Sequence, residues 1–262
     1  MSHANINGQE ISFEDSGGTG MPVLLGHGFL MDRTMFAAQV AALTPKYRVV
    51  TYDFRGFGET RFDGSSFTYW DLAKDVVGLM DHLHIDRAVV GGMSQGGYVA
   101  LRVALAAPER VRALVLIDSQ GGAEDPAVAA GYAQLLEAWA AHGPVDQIAN
   151  TVAKIIIDHP DHNDAWIAKW RSREPGLIVE PGKCLLERDS VSERLGEVKQ
   201  PTLIVHGTND GAISVEVMKR TTALLPNTKT VLIEGGTHAS NVTHPDLVND
   251  ALLAFLSDIA VR

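Results

Sequence analysis

The run Val89-Val90-Gly91-Gly92-Met93-Ser94-Gln95-Gly96-Gly97 decides the fold. It joins the end of an apolar strand to a serine and then, from Tyr98 onward, to the apolar spacing of a helix. A serine at the apex of such a strand-turn-helix takes a strained backbone conformation, so the residues two before and two after it must be small. Gly92 and Gly96 meet that demand. The stretch therefore predicts an exposed hydroxyl nucleophile at Ser94, the alternative being a glycine-rich turn that happens to contain serine.

Outward from this turn, short apolar runs alternate with helical patterns along most of the chain. The predicted buried strands are residues 22–26, 47–52, 88–93, 111–117, 201–207 and 228–233. Asn7-Gly8 between two alternating segments predicts an antiparallel hairpin before them. The alternation indicates an α/β fold with a mostly parallel sheet flanked by helices, whose active site lies at the carboxyl ends of the strands.

The alternation stops between residues 121 and 195, where no convincing strand occurs. Helical segments are expected there at 128–141, 145–157, 164–171 and 182–195. We therefore expect an α/β core of residues 1–120 and 196–262 with an inserted helical cap of residues 121–195. The candidates for substrate contact are two bulky residues of the cap, Trp139 and Trp166, and two apolar residues of the core, Leu30 and Met93. Each of them can equally serve packing.

Serine is a poor nucleophile at neutral pH unless an imidazole takes its proton and an acid orients that imidazole. His238 and Asp210 each follow a predicted parallel strand, and the order Ser94, Asp210, His238 suits a triad on this type of sheet. The alternatives are a surface-loop histidine and a turn aspartate. Asp118 is the substitute acid, because it also follows a sheet strand.

Acyl transfer also requires two donors for the oxyanion. The backbone amides of Gln95, at a helix N-terminus, and of Phe29, in the loop after the first buried strand, are the candidates. His27 is expected to buttress that loop through its ring nitrogens.

These motifs together resemble the α/β-hydrolase family, most of all its small bacterial carboxylesterases, lactonases, aryl-esterases and perhydrolases. The resemblance is carried by His27-Gly28-Phe29, Asp53-Phe54-Arg55-Gly56-Phe57-Gly58, Gly92-Met93-Ser94-Gln95-Gly96-Gly97, Gly207 with Asp210, and His238. It implies an eight-stranded, mostly parallel sheet, a Ser-His-Asp triad and no cofactor. The chain departs from the family pattern in having Thr60 where serine is usual, Phe36 where tryptophan is common, and no proline shortly after the acid.

Composition excludes several classes of partner. The chain has 22 basic and 32 acidic residues, and its net charge of −10 opposes binding to nucleic acid or anionic membranes. A single cysteine, Cys184, excludes an internal disulfide, and the N-terminus lacks the features of a signal peptide. No metal site is expected, because the histidine spacings do not match zinc motifs. We expect a soluble, cytoplasmic protein whose partner is a small molecule; the oligomeric state stays open.

The predicted reaction is hydrolysis of a carboxylic ester, or a lactone, of a small and largely apolar substrate through an acyl-enzyme. The same triad could instead support perhydrolysis, hydrolysis of a C–C bond or acyl transfer to another acceptor. A further alternative is a ligand receptor on a hydrolase scaffold that turns over little or no substrate.

Overall fold

A computed structural model describes residues 1–261 of the chain and contains one eight-stranded sheet. The strands are β1 (Ser2–Ile6), β2 (Gln9–Asp15), β3 (Pro22–Gly26), β4 (Arg48–Tyr52), β5 (Ala88–Met93), β6 (Val111–Ile117), β7 (Thr202–Gly207) and β8 (Thr228–Ile233). Their spatial order is β1-β2-β4-β3-β5-β6-β7-β8. The pairs β1–β2 and β2–β4 are antiparallel and the other pairs are parallel. The prediction of a mostly parallel, eight-stranded sheet is confirmed.

The antiparallel edge begins with the predicted hairpin. Asn7 and Gly8 both have positive φ, at 50° and 82°, and they connect the paired residues Ile6 and Gln9. Two successive positive φ values match the right-handed twist of the strands that flank a two-residue turn.

The sheet core is apolar because its central strands are covered on both faces. Every residue of β5 is buried, and Val23, Leu24 and Leu25 of β3 have no exposed surface. Strands in this position cannot alternate between polar and apolar side chains, which explains the continuous apolar runs in the sequence.

Helices flank this sheet in two groups: Tyr69–His82 packs against Gln95–Ala106, and Ala37–Leu43 packs against Pro245–Ala260. The helices outside the insertion are α1 (Ala37–Leu43), α2 (Tyr69–His82), α3 (Gln95–Ala106), α8 (Val215–Leu224), α9 (Ser240–Thr243) and α10 (Pro245–Ala260). Across residues 1–261, every helix is too short or too polar to cross a bilayer.

A helical insertion separates β6 from β7. It consists of α4 (Pro126–His142), α5 (Asp146–Ile156), α6 (Pro160–Arg171), α7 (Val179–Leu186) and the 3₁₀ turns Pro175–Ile178 and Ser192–Glu197. The predicted cap boundaries, residues 121 and 195, fall in the loop after β6 and in the second 3₁₀ turn.

The expected single helix over residues 182–195 is wrong, because α7 ends at Leu186. Arg188 donates to the carbonyl oxygens of Leu185 and Gly122, at 3.2 Å each, and Arg102 of α3 donates to the Asp189 carbonyl at 2.6 Å. Contacts with distant parts of the chain thus satisfy the backbone where a longer helix would have continued.

Candidate active site

Ser94 occupies the turn between β5 and α3 with φ 48° and ψ −108°, a strained backbone conformation for a residue with a side chain. Its amide donates to the Ile117 carbonyl at 2.8 Å, which ties the turn to β6. A side chain at either Gly92 or Gly96 would overlap the carbonyl oxygen of Gly26 on β3. The two glycines are therefore required because the turn packs directly against the neighbouring strand.

Three residues from separate loops meet at this turn. His238, after β8, places Nε2 3.0 Å from the Ser94 Oγ, and its Nδ1 lies 2.9 Å from Oδ2 of Asp210, after β7. The Asp210 Oδ1 accepts from the amides of Ala212 and Ile213 at 2.8 and 2.7 Å. The carboxylate is thus oriented by its own loop, so Nδ1 donates to it and Nε2 is free to accept the serine proton.

The electrostatics of this group favour a basic imidazole. Burial disfavours the charged form of His238, but the adjacent Asp210 carboxylate outweighs burial and raises the pKa of the imidazole. Burial likewise opposes ionisation of Asp210, but the contact with His238 lowers the pKa of this carboxyl overall. The acid is therefore charged at neutral pH, where it can stabilise an imidazolium.

Asp118, the substitute acid, lies behind this group. It accepts from the Gly207 amide at 2.8 Å and from the amide and hydroxyl of Ser240 at 3.0 and 2.6 Å. Burial and the neighbouring Asp210 charge raise the pKa of Asp118 to about 7. No hydrogen bond joins it to His238 in residues 1–261, so the structure pairs the imidazole with Asp210 and uses Asp118 to hold the two flanking loops.

Asp118, His206 and Asp210 also place potential metal-ligand atoms within 4.8 Å of one another. The carboxylate oxygens of both aspartates are engaged by the hydrogen bonds given above. His206 Nε2 donates to the Ile213 carbonyl at 2.8 Å, and burial lowers the pKa of this imidazole. These atoms form a hydrogen-bonded support for the loops, and a metal ion would have to displace several of its contacts.

The two predicted oxyanion donors belong to different parts of the chain. Gln95 is the first residue of α3, where a backbone amide has no acceptor within its own helix. Phe29 lies in the loop after β3 and lines the same cleft as Ser94. This loop is shaped by His27, which donates from Nδ1 to the Gly28 carbonyl at 2.7 Å and accepts at Nε2 from the Phe54 amide at 3.0 Å.

Ser94 and His238 open into a cleft enclosing about 690 Å³ that protein atoms do not occupy, part of it open to solvent. Most of the lining is apolar and comes from the loop after β3, the helical insertion and the loop after β7: Phe29, Leu30, Leu135, Leu136, Trp139, Val152, Ile155, Ile156, Leu185, Ala212 and Ile213. Of the four predicted substrate contacts, Leu30 and Trp139 are at the cleft. Met93 and Trp166 are not, because Met93 is buried against Gly28 and Trp166 lies beneath the Lys169 ammonium at 4.3 Å.

Sequence reasoning missed three polar residues of the cleft lining, Tyr98, Glu124 and Tyr132. Only Tyr98 carried a usable signal, because it lies one helical turn after Ser94 and so shares its face of α3. Glu124 and Tyr132 reach the cleft through the path of the insertion, which no local pattern specifies.

The fold and the arrangement at its strand ends are those of a hydrolase, and the chain belongs to the α/β-hydrolase family, whose model matches residues 21–245. It resembles a thermophilic esterase from Thermogutta terrifontis, with 29% sequence identity and a TM-score of 0.91 over 99% of this chain and 100% of that one. A putative non-heme chloroperoxidase from Synechocystis sp. is 30% identical over 94% of this chain and 95% of its own length. A putative carbamate hydrolase RutD from Azorhizobium caulinodans is 26% identical over 92% of this chain and 93% of its own length.

Proposed function

We propose that the chain is a serine hydrolase that cleaves a carboxylic ester or lactone of a small, largely apolar substrate. The observation that carries this proposal is the continuous hydrogen-bonded line from Ser94 through His238 to Asp210, with contacts of 3.0 and 2.9 Å, at the base of an apolar cleft. The similar esterase from Thermogutta terrifontis supports the same class of substrate.

The first half of the reaction forms an acyl-enzyme. His238 Nε2 takes the Ser94 proton as Oγ bonds to the substrate carbonyl carbon, and the carbonyl electron pair moves onto oxygen. When that pair returns, the bond to the alcohol oxygen breaks and the imidazolium gives its proton to the leaving alcohol. In the second half, water loses a proton to His238 and attacks the acyl carbon. The bond to the Ser94 oxygen then breaks, the imidazolium returns a proton to that oxygen, and the acid leaves.

The amides of Phe29 and Gln95 are the proposed donors to the oxyanion. Gln95 contributes the positive end of α3, and backbone amides need no reorganisation when negative charge develops. One such donor is worth about 10²–10³-fold in kcat.

The cleft limits the substrate by size and polarity. Its space of about 690 Å³ is partly open to solvent, so the enclosed part accommodates only a small group. Its aliphatic and aromatic lining supports an ester with an apolar acyl or alcohol group.

Perhydrolysis is the second candidate, and the chloroperoxidase relative from Synechocystis favours it. In that reaction hydrogen peroxide replaces water in the second half, so the acyl-enzyme yields a peracid instead of an acid. Assays with and without peroxide separate the two, because only perhydrolysis gives a product that oxidises a halide or dye.

The direct test is a screen of p-nitrophenyl, short-chain aliphatic, aryl and lactone substrates with the wild-type protein and Ser94→Ala. We expect kcat/KM for the best substrate to fall by about 10⁴-fold or more in Ser94→Ala. Ser119→Ala is the matched control, because Ser119 Oγ donates to the Ser94 carbonyl at 2.8 Å but has no nucleophilic role. Equal losses in the two variants, or turnover that survives in Ser94→Ala, would contradict the triad. A wild-type protein that hydrolyses none of these esters would favour a receptor.

A further inference from the structure

The lining of the apolar cleft includes a charge to which the proposed ester chemistry assigns no role. Besides Ser94 and His238, the polar residues that line the cleft are Tyr98, Glu124 and Tyr132. The Glu124 side chain is 12% exposed, and a carboxylate removed from water to this extent destabilises the fold unless it is paired.

Arg188 is the partner of Glu124. Its Nη2 lies 3.0 Å from the Glu124 Oε2, and its side chain is only 2% exposed. Its Nε and Nη1 donate to the carbonyls of Gly122 and Leu185, and its guanidinium lies 4.5 Å above the Tyr98 ring. Arg188 is absent from the cleft lining formed by the described residues, whereas Glu124 belongs to it. The cation therefore faces the protein and the anion faces the cleft.

The cleft-facing carboxylate retains unused capacity to accept hydrogen bonds. Its Oε1 has only a long contact, 3.4 Å from the Gln120 Nε2, whereas an ionised carboxylate offers about four acceptor positions. Tyr132 lies on the same lining, and burial together with the Glu124 charge raises the pKa of its phenol, so the hydroxyl stays protonated.

We propose that Glu124 is a specificity residue that accepts a hydrogen bond from a neutral amide N–H on the ester substrate. The inference rests on the proposed ester hydrolysis and narrows its substrate class to largely apolar esters that also carry such a donor. A neutral donor is favoured over an ammonium group because Arg188 already balances the Glu124 charge. A substrate carboxylate would instead be repelled by the Glu124 carboxylate, which faces the cleft.

Matched substrates test the proposal directly. In the acyl series, the p-nitrophenyl ester of N-acetyl-β-alanine is compared with that of 5-oxohexanoic acid, which replaces the N–H by CH₂. In the alcohol series, the acetate of N-(2-hydroxyethyl)acetamide is compared with the acetate of 5-hydroxypentan-2-one. The readout is the ratio of kcat/KM for the N–H ester to that for its CH₂ counterpart. We expect about 10-fold or more in at least one series for the wild type, since a hydrogen bond to a charged acceptor is strong.

Variants separate recognition from a purely structural ion pair. Glu124→Leu/Arg188→Met replaces the pair by apolar groups, which is tolerated better than an unpaired buried charge, and should bring the ratio close to one. Glu124→Gln is the second variant and should also lower the ratio below that of the wild type. Lys169→Met is the control, because it removes another contact between insertion and core, the 2.9 Å pair with Asp32, which lies outside the cleft lining. This control should keep the wild-type ratio.

Two results would overturn the proposal: wild-type ratios within about twofold of one in both series, or a preference that is unchanged in both Glu124 variants. Either result leaves ester hydrolysis intact if both members of a series are turned over. Failure of the wild type to hydrolyse any of the four esters, or any ester of the wider screen, would refute the proposed function itself.

Discussion

The Asp210→Asn substitution should remove most catalysis while preserving the shape of the site. Asp210 Oδ1 accepts from the amides of Ala212 and Ile213, so the asparagine must keep its oxygen there and turn its NH₂ group toward His238. That group donates to Nδ1, which forces the imidazole proton onto Nε2. An imidazole in this tautomer cannot accept the Ser94 proton.

The expected loss has two parts that act together. The substitution reverses the tautomer and removes the charge 2.9 Å from His238, an attraction of about 6 kcal/mol at an effective dielectric constant of about 20. At about 1.4 kcal/mol for each factor of ten, this corresponds to a fall of about 10⁴-fold in kcat. Because the chemistry is lost and the cleft is unchanged, KM should change little.

Asp118 provides a second test of this prediction. Its pKa, about 7, is raised by burial and by the Asp210 charge, so Asp210→Asn should lower that pKa and leave Asp118 more ionised. The charge on Asp118 should then support part of the residual activity of the single variant, so Asp118→Asn in the same background should lower that activity further. The assay is a pH series of kcat and KM on the best ester from the screen. A loss smaller than about tenfold, or a change confined to KM, would refute the assignment of Asp210 as the orienting acid.

Three further outcomes follow from the structure. Since Asp210 raises the pKa of His238 and only the neutral imidazole accepts a proton, kcat/KM should rise with pH through a midpoint above about 6.5; a midpoint below this value would contradict the coupling. Gly96→Ala should lower the free energy of unfolding by about 1–3 kcal/mol and reduce activity, because the methyl group overlaps the Gly26 carbonyl; unchanged denaturant unfolding would show that the turn can relax. Asp53→Ala should cost about 3 kcal/mol of stability, because the buried Arg33 guanidinium loses its 2.5 Å partner and keeps only a 3.4 Å contact with the exposed Glu14, and calorimetry showing less than 1 kcal/mol would count against a buried pair.

The amino-acid sequence by itself determined the class of fold, because the signals for it are local. Asn7-Gly8 adopts the turn that its small and αL-tolerant residues allow, and the apolar runs become central strands since they are buried on both faces. The turn at Ser94 is equally local: its glycines make room for the neighbouring strand. Because Ser94, Asp210 and His238 each follow a parallel strand, the sequence alone places them at one edge of the sheet.

Only the tertiary structure decided which residues act together at that edge. Asp118 and Asp210 both follow parallel strands, so spacing could not choose between them; the choice depends on which carboxylate the loop amides turn toward His238. The early end of α7 and the exposure of Glu124 in the cleft likewise depend on Arg188, which satisfies acceptors far away in the sequence. Periodicity specifies which face of an element is buried, whereas contacts between distant side chains are set by packing of the whole chain.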